Sequence, residues 1–472
     1  MPEVLIVGGG VVGMGLGMML ARDDHIVTIL ERDPQAVPGD PESAWGSWER
    51  RGVNQLRLPH LFLSRYRQIL EEELPEVAAA IEADGAVRFN PVLDAPDFIT
   101  GGPRPGDDRF EMLSGRRVVV ERAVATVAER TAGLEVRRGV AVAGLTRGLA
   151  GRAGVPHVSG VRTTGGDELT ADLVVDCGGR RSALPVWLEA LGARRPIDQV
   201  DDSGFIYFGR HFRSRDGNLP VALGPGLQPY GSISVLTLPA DNGSWAVTLV
   251  GRAGDRALLG LKDAARWEQT VRALPTAAHW LDGDPIDDQV ITMSKIEDRH
   301  RDLWPDGTAV ATGVVAVADA WACTNPSLGR GASIGMLHAQ ALRDTLRAVG
   351  ADDPATLSDA FAAATAETVE PWYQTTLSAD RHRLAEMTAI AEGVSYEPDD
   401  PAFEMAGALA AAGSHDHDVF RGLIDIALVL ALPDEVLGRR GLLEKVTEYG
   451  AGWRDEPAFG PTRAELVTLA NG

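Results

Sequence analysis

Immediately after the β-branched run Val4–Val7 the chain reads Gly8-Gly9-Gly10-Val11-Val12-Gly13, and a helical pattern with Met14, Leu16, Met18, Met19 and Leu20 follows it. A second apolar run, Ile26–Leu30, ends on Glu31. Strand, Gly-x-Gly-x-x-Gly turn, helix, strand and terminal acid is the opening of a parallel βαβ sheet that binds a dinucleotide. The glycines let the backbone approach a pyrophosphate at a helix N-terminus, where unpaired N–H groups favour negative charge. Glu31 is placed to accept bonds from a ribose diol and argues against a 2′-phosphate. Alone, the glycine pattern is weak; with the strand, helix and acid in register it is specific.

At 472 residues the chain exceeds one ordinary core, so a large α/β or two-domain architecture is expected. With 45 basic and 67 acidic side chains, net −22, its field disfavours nucleic acid and anionic lipid. Cys177 and Cys323 are its only cysteines and cannot build a disulfide framework; both are expected to be small buried fillers. The opening Met1-Pro2-Glu3 carries no basic leader, so a cytoplasmic location is expected. The apolar run 423–432 contains Asp425 and falls short of the ~20 residues of a membrane span. No metal site is expected.

Residues 34–60, rich in Pro, Gly and Trp, read as a long loop, and helices are predicted over 64–81 and 117–131. Strand character resumes over 136–145 and 172–177. Between 232–238 and 245–250, the segment Ala240-Asp241-Asn242-Gly243-Ser244 is a hairpin turn. It implies an inserted antiparallel sheet with Phe205, Tyr207 and Phe208 in a neighbouring extended segment. Val310–Val317 returns to the first sheet, and Ile334, Leu337, Ala341 and Leu342 follow at helical spacing. The expected division is a discontinuous nucleotide-binding domain over 1–190 and 290–350, a substrate domain over 191–289, and a helical region over 351–472.

Asp319, Pro326 and Gly329-Arg330-Gly331-Ala332 form a second informative stretch: a strand-end carboxylate able to bind a polyol, and a glycine-rich turn opening a helix. Together with the first fingerprint, this stretch resembles the para-hydroxybenzoate hydroxylase type of flavoprotein. Among these, the chain is most similar to the bacterial FAD-dependent monooxygenases that include squalene-epoxidase-like and polyether-forming epoxidases. The resemblance covers most of the chain. It implies a Rossmann-like FAD-binding domain with an inserted antiparallel substrate domain and a helical C-terminal region.

The same resemblance implies that Gly8, Gly10, Gly13, Glu31 and Arg32 hold the ADP half of FAD. Arg117, in the pattern Arg-x-x-x-acid with Glu121, would contact the ribityl or phosphate region. Asp319 would bind ribitol, with Ala318 where the family has Gly, and Gly331 and Ala332 would complete the site. Arg57 and His60 lie on a segment that in these epoxidases runs near the flavin; for His60 a bond to the loop backbone is weighted above catalysis. Phe205, Tyr207 and Trp321 are candidate pocket aromatics, weighted more heavily as core, and Pro326 is a further pocket candidate.

Asp176-Cys177-Gly178-Gly179-Arg180-Arg181-Ser182 departs from the family's Asp-Gly motif, putting Gly178 where self-reducing hydroxylases have an acid. Electrons from NADPH or NADH are therefore expected through a separate flavin reductase. The implied activity is insertion of oxygen from O₂, through a flavin C4a-hydroperoxide, into a mostly apolar small molecule, by epoxidation or hydroxylation in bacterial secondary metabolism. Halogenation fits poorly, because a Trp-x-Trp-x-Ile-Pro motif and any lysine before Lys262 are missing. A reductase or dehydrogenase of isoprenoid-like double bonds and a non-catalytic escort on the FAD fold remain as alternatives.

Overall fold

In the computed structural model, residues 2–58, 60–149, 152–201, 204–455 and 459–472 are described. Its centre is a parallel sheet of β1 (Glu3–Val7), β2 (Ile26–Glu31), β3 (Leu134–Arg138), β4 (Leu173–Asp176) and β5 (Val314–Ala316), in the spatial order β5-β4-β1-β2-β3. Register is set by pairs such as Ile6 with Ile29 and Ile6 with Val175. Successive side chains of β1 enter different cores. Val4 and Ile6 pack with Met14, Leu16 and Met336, whereas Leu5 and Val7 pack with Leu145, Val158 and Leu188. A strand buried on both faces needs no polar alternation, which is why these strands read as unbroken apolar runs.

Three helices pack on the first face: α1 (Val11–Arg22), α2 (Arg117–Ala128) and α3 (Gly331–Val349). The expected loop over 34–60 contains a short helix, Pro41–Ser47, capped by the Asp40 side chain on the Ser43 N–H at 2.9 Å. Asp at the cap followed by Pro is a start signal that the surrounding glycines obscured. The expected helix over 64–81 is two, Ser64–Glu73 and Pro75–Ala83, because Pro75 has no N–H to continue the first and Leu74 leaves helical geometry (φ −140°, ψ 55°).

The antiparallel sheet is built on Phe205–Arg213, Ser244–Arg252 and Ile233–Pro239, with Leu227–Tyr230, Asp284–Pro285 and Ile291–Ser294 at its margins. The turn at its hairpin end does more than reverse the chain. Asp241, fully buried there, accepts the Arg116 backbone N–H at 2.7 Å and grips the Arg116 guanidinium, tying the sheet to the start of α2.

After residue 350 the chain is helical, beginning with α4 (Pro354–Thr368) and α5 (Glu370–Glu392). Val419 and Ile426 pack with Leu409 and Val446, and Leu428 and Val429 join the core beneath β1. The final helix, Arg463–Asn471, sends Leu466 and Ala470 under the antiparallel sheet beside Trp267. Among the described residues no helix is long and apolar enough to cross a membrane.

Candidate functional site

A cleft of about 380 Å³ opens beyond the carboxyl ends of β1, β2, β4 and β5, where parallel sheets place ligands. Two helices present their N-termini to it. The N-cap of α1 is Gly10 and that of α3 is Arg330; neither receives a side-chain capping bond, so both offer free backbone N–H groups and a positive dipole end.

The first turn is closed by contacts only glycine permits. Gly8 has φ +109° and a β-carbon there would overlap the Cys177 carbonyl oxygen; one on Gly13 would overlap the Gly8 oxygen. A β-carbon on Gly10, by contrast, would meet nothing within 4 Å. That empty space over a helix N-terminus fits the close approach of a phosphate.

Beneath this turn runs a chain of buried charges. Arg50 donates to the Gly9 carbonyl at 2.8 Å, to Glu31 at 2.9 Å and to Glu121 at 2.9 Å, with Asp33 3.5 Å away. Glu121 also accepts from Arg117 at 2.9 Å, and Arg117 donates to His60 Nε2 at 2.9 Å. Burial works against the Arg50 charge, but Glu121, Glu31 and Asp33 outweigh it and hold its pKa above the usual value. Glu31 Oε2 takes the Gly9 N–H and Arg50, and Oε1 takes the Asp33 N–H. A carboxylate has about four acceptor positions, which leaves one on Oε1 for a ligand hydroxyl.

The second turn is held differently. Ala318 has φ +55°, a left-handed conformation at a residue with a β-carbon, and its N–H donates to His338 Nδ1 at 3.1 Å. Asp319 follows and lines the cleft with Cys323, Thr324 and Pro326. Burial raises the Asp319 carboxyl, while Arg117 and Arg180 pull it down. Farther along, Asn325 receives the Tyr207 hydroxyl on its Oδ1, takes an Asp298 oxygen at 2.6 Å with its backbone N–H, and accepts the Ser327 N–H at 3.2 Å. The Ser327 hydroxyl donates to Asp380 of α5, whose other oxygen has no hydrogen-bond partner among the described residues. Burial raises Asp298 to about 6 and Asp380 to about 8.

Gly8, Gly10, Gly13, Glu31, Arg32, Arg117, Asp319, Gly331 and Ala332, named from sequence as cofactor-binding, all line the one cleft, with Arg32 at its exposed rim. Of the pocket candidates, His60 and Pro326 line it too. His60 bonds to the Arg117 side chain instead of loop backbone, and burial followed by the Arg117 charge lowers its pKa well below the usual value. Arg57, Tyr207 and Trp321 are not among the residues that line it. Arg57 donates to the Ala44 and Trp48 carbonyls at 3.1 and 2.9 Å. Tyr207 packs with Leu58, Phe205, Met293 and Met387, filling the space between the antiparallel sheet and the cleft. Trp321 lies edge-on to His338 and His300. Asp176 caps its own turn, accepting the Gly178 N–H at 2.9 Å and the Ser182 hydroxyl. Both cysteine thiols are pushed up by burial and neither is poised as a nucleophile. Sequence reasoning missed Arg50 and His338, since their partners lie 17 to 71 and 20 to 27 positions away and no local spacing marks such pairs.

No family model matches the chain. It is 26% identical over 400 residues to Protein Rv3254 of Mycobacterium tuberculosis, covering 78% of each. Among solved structures, pqsL, a probable FAD-dependent monooxygenase from Pseudomonas aeruginosa, superposes with TM-score 0.59 at 17% identity over 82% of this chain and 96% of its own. The anhydrotetracycline hydroxylase OxyS from Streptomyces rimosus gives 0.55 at 17% identity over 91% and 76%. The chain has the fold of these flavoprotein monooxygenases. The Diels-Alderase PyrE3 of pyrroindomycin biosynthesis also shares it, with TM-score 0.54 at 16% identity over 91% of this chain and 82% of its own. One fold thus carries more than one reaction, and function has to be argued from the site.

Proposed function

We propose that the protein is an FAD-dependent monooxygenase acting on a mostly apolar small molecule by epoxidation or hydroxylation. The observation that carries this is the pair of uncapped helix N-termini opening on one cleft, with Glu31 and Asp319 both on its wall. Glu31 would accept from the adenosine ribose, the N–H groups at Gly10 and beyond would meet the pyrophosphate, and Asp319 would accept from the ribityl chain. The N-terminus of α3, with Gly331 and Ala332, would stabilise negative charge on the reduced ring. When bound, the cofactor supplies activation of O₂ and its transfer to substrate.

The protein's share is positioning and exclusion of water. Leu58, Tyr207, Met293, Ile296 and Met387 make an apolar barrier beside Pro326 and Thr324, which supports an apolar substrate entering by displacement of these side chains. Gly178 stands where self-reducing relatives have an acid, which supports electron supply by a separate reductase fed by NADPH or NADH; a role in bacterial secondary metabolism belongs to the same proposal.

Purified protein is expected to be yellow or to take up one FAD per chain. A colourless protein that ignores added FAD would sink the proposal. Anaerobic mixing with NADPH or NADH is expected to bleach the flavin slowly, and fast bleaching without a reductase would remove the separate donor. The shared fold of PyrE3 gives one second reading: anaerobic conversion of a substrate with oxidised flavin would mark a redox-silent catalyst.

A further inference from the structure

Ala318 is one of six described non-glycine residues at positive φ, and it stands directly before the cleft-lining Asp319. A left-handed alanine is strained by its β-carbon and lacks the side-chain polar group that lets Asn or Asp recover some of the cost. Something outside the turn has to hold it there. The Ala318 backbone N–H can only donate, so His338 Nδ1, 3.1 Å away, is the acceptor and the ring proton sits on Nε2. Nε2 in turn lies 3.1 Å from Thr365 Oγ1, whose hydroxyl donates to the Phe361 carbonyl at 2.8 Å. Every proton in this line from β5 through α3 to α4 therefore has one direction.

The ring cannot turn away from the bond. It is fully buried, stacked on Phe361 at 5.0 Å and met edge-on by Trp321 at 4.9 Å. Burial lowers its pKa to about 3, which keeps Nδ1 unprotonated at neutral pH. One turn earlier on α3, Gly335 leaves the space that the Ala318 methyl needs, since a β-carbon on Gly335 would stand 3.0 Å from it.

We propose that His338 is a positioning residue: as the neutral Nε2–H tautomer it holds the Ala318 amide, keeps the turn left-handed, and so aims Asp319 into the cleft. The ligand side of this inference rests on the FAD assignment above. It makes α4, from the C-terminal helical region, part of the support of the cofactor site.

The test is a double-mutant cycle read by FAD titration. His338→Leu removes the acceptor and is expected to weaken FAD at least tenfold, while His338→Asn, which keeps an acceptor near Nδ1, is expected to stay within threefold of wild type. Ala318→Gly removes the need for the clamp, so Ala318→Gly/His338→Leu is expected to recover most of the loss. A purely structural role for the ring would show no such rescue. Hydrogen exchange at the Ala318 amide is expected to quicken in His338→Leu, and ¹⁵N-histidine spectra of the wild type are expected to show the Nε2–H form. Unchanged FAD affinity in His338→Leu, no rescue by Ala318→Gly, or an Nδ1–H tautomer would each overturn the proposal. Should His338→Leu not fold, His338→Asn and the wild-type tautomer decide. A wild type without FAD binding defeats the cofactor assignment, and tautomer and amide exchange then still judge His338.

Discussion

Two turns deliver helix N-termini to the same cleft by different physical means. The turn at Gly8–Gly13 is closed by the absence of side chains and anchored by a buried arginine among carboxylates from residues 31, 33 and 121. The turn from Ala318 to Gly331 keeps a β-carbon in a left-handed position and is held by His338, Asn325 and the Ser327 hydroxyl on Asp380, with the buried Arg301 donating to the Ala320 carbonyl at 2.7 Å and Asp298 accepting the Asn325 N–H at 2.6 Å. Its buried cation Arg330 donates to the Thr376 hydroxyl at 3.3 Å and the Ile426 carbonyl at 3.1 Å and lies over the Trp372 ring. The first turn is thus a charged knot within the nucleotide-binding sheet. The second is a lattice of dispersed hydrogen bonds that depends in part on helices arriving from the end of the chain.

The largest difference should appear when each anchor is removed. Arg50→Met leaves Glu31, Asp33 and Glu121 crowded without their shared cation and is expected to cost about 3–5 kcal/mol of stability. Chemical denaturation measures it; a loss below about 1 kcal/mol would break the claim that charge holds the first turn.

Next in size is Gly10→Val. Because nothing lies within 4 Å of the added β-carbon, the folded protein should keep its melting temperature within a few degrees. FAD affinity should nonetheless fall by roughly tenfold or more through steric exclusion at the pyrophosphate. Gly13→Val, which would strike the Gly8 carbonyl, should instead lose the fold. Equal damage from both would erase the distinction between a glycine kept for a ligand and one kept for packing.

Titration sharpens the second turn. Asp380 is raised to about 8 in the folded chain, so between its ordinary value near 4 and pH 8 the folded state holds the proton more tightly than the unfolded state. Its contribution is present at low pH and lost as pH rises through that window. Asp298 nearby, raised to about 6, acts in the same direction, while the Arg330 charge opposes it. Asp380→Asn is expected to remove at least about 1.4 kcal/mol of this alkaline loss. Denaturation midpoints at pH 5 and pH 8 measure it, and an unchanged pH slope in the variant would refute it. His338 and His60, both lowered, contribute in the opposite sense, with stability lost as pH falls below about 6.5.

The smallest effect belongs to Ala318→Gly in the otherwise wild-type chain. Relief of the left-handed conformation is partly offset by the freedom glycine gains when unfolded, leaving a gain of at most about 1 kcal/mol. A loss larger than that in calorimetry would mean that the Ala318 methyl packs better than its backbone is strained.

Much of this contrast follows from how far apart the partners lie in the chain. Gly8 to Gly13, the apolar strands and Glu31 sit within 31 residues, and each type of residue is there for a local reason: close approach, burial on both faces, a strand-end acid. The hairpin at Ala240–Ser244 was legible for the same cause, as its turn chemistry is contained in the segment itself. Local pattern failed at Leu74–Pro75, where a helical period ran across a residue that cannot donate, and at Asp40–Pro41, where a short capped helix hid among glycines.

What the sequence by itself determined is therefore the parallel sheet, the glycine turn and the acids at two strand ends, because strand period, glycine sterics and helix starts act over a few residues. Only the tertiary structure decided that Arg50 meets three carboxylates together, that His338 accepts the Ala318 N–H, and that Arg57, Tyr207 and Trp321 lie outside the cleft lining. Those outcomes depend on which side chains become neighbours once water is excluded. A hydrogen bond or ion pair between residues tens to hundreds of positions apart leaves no mark on local composition.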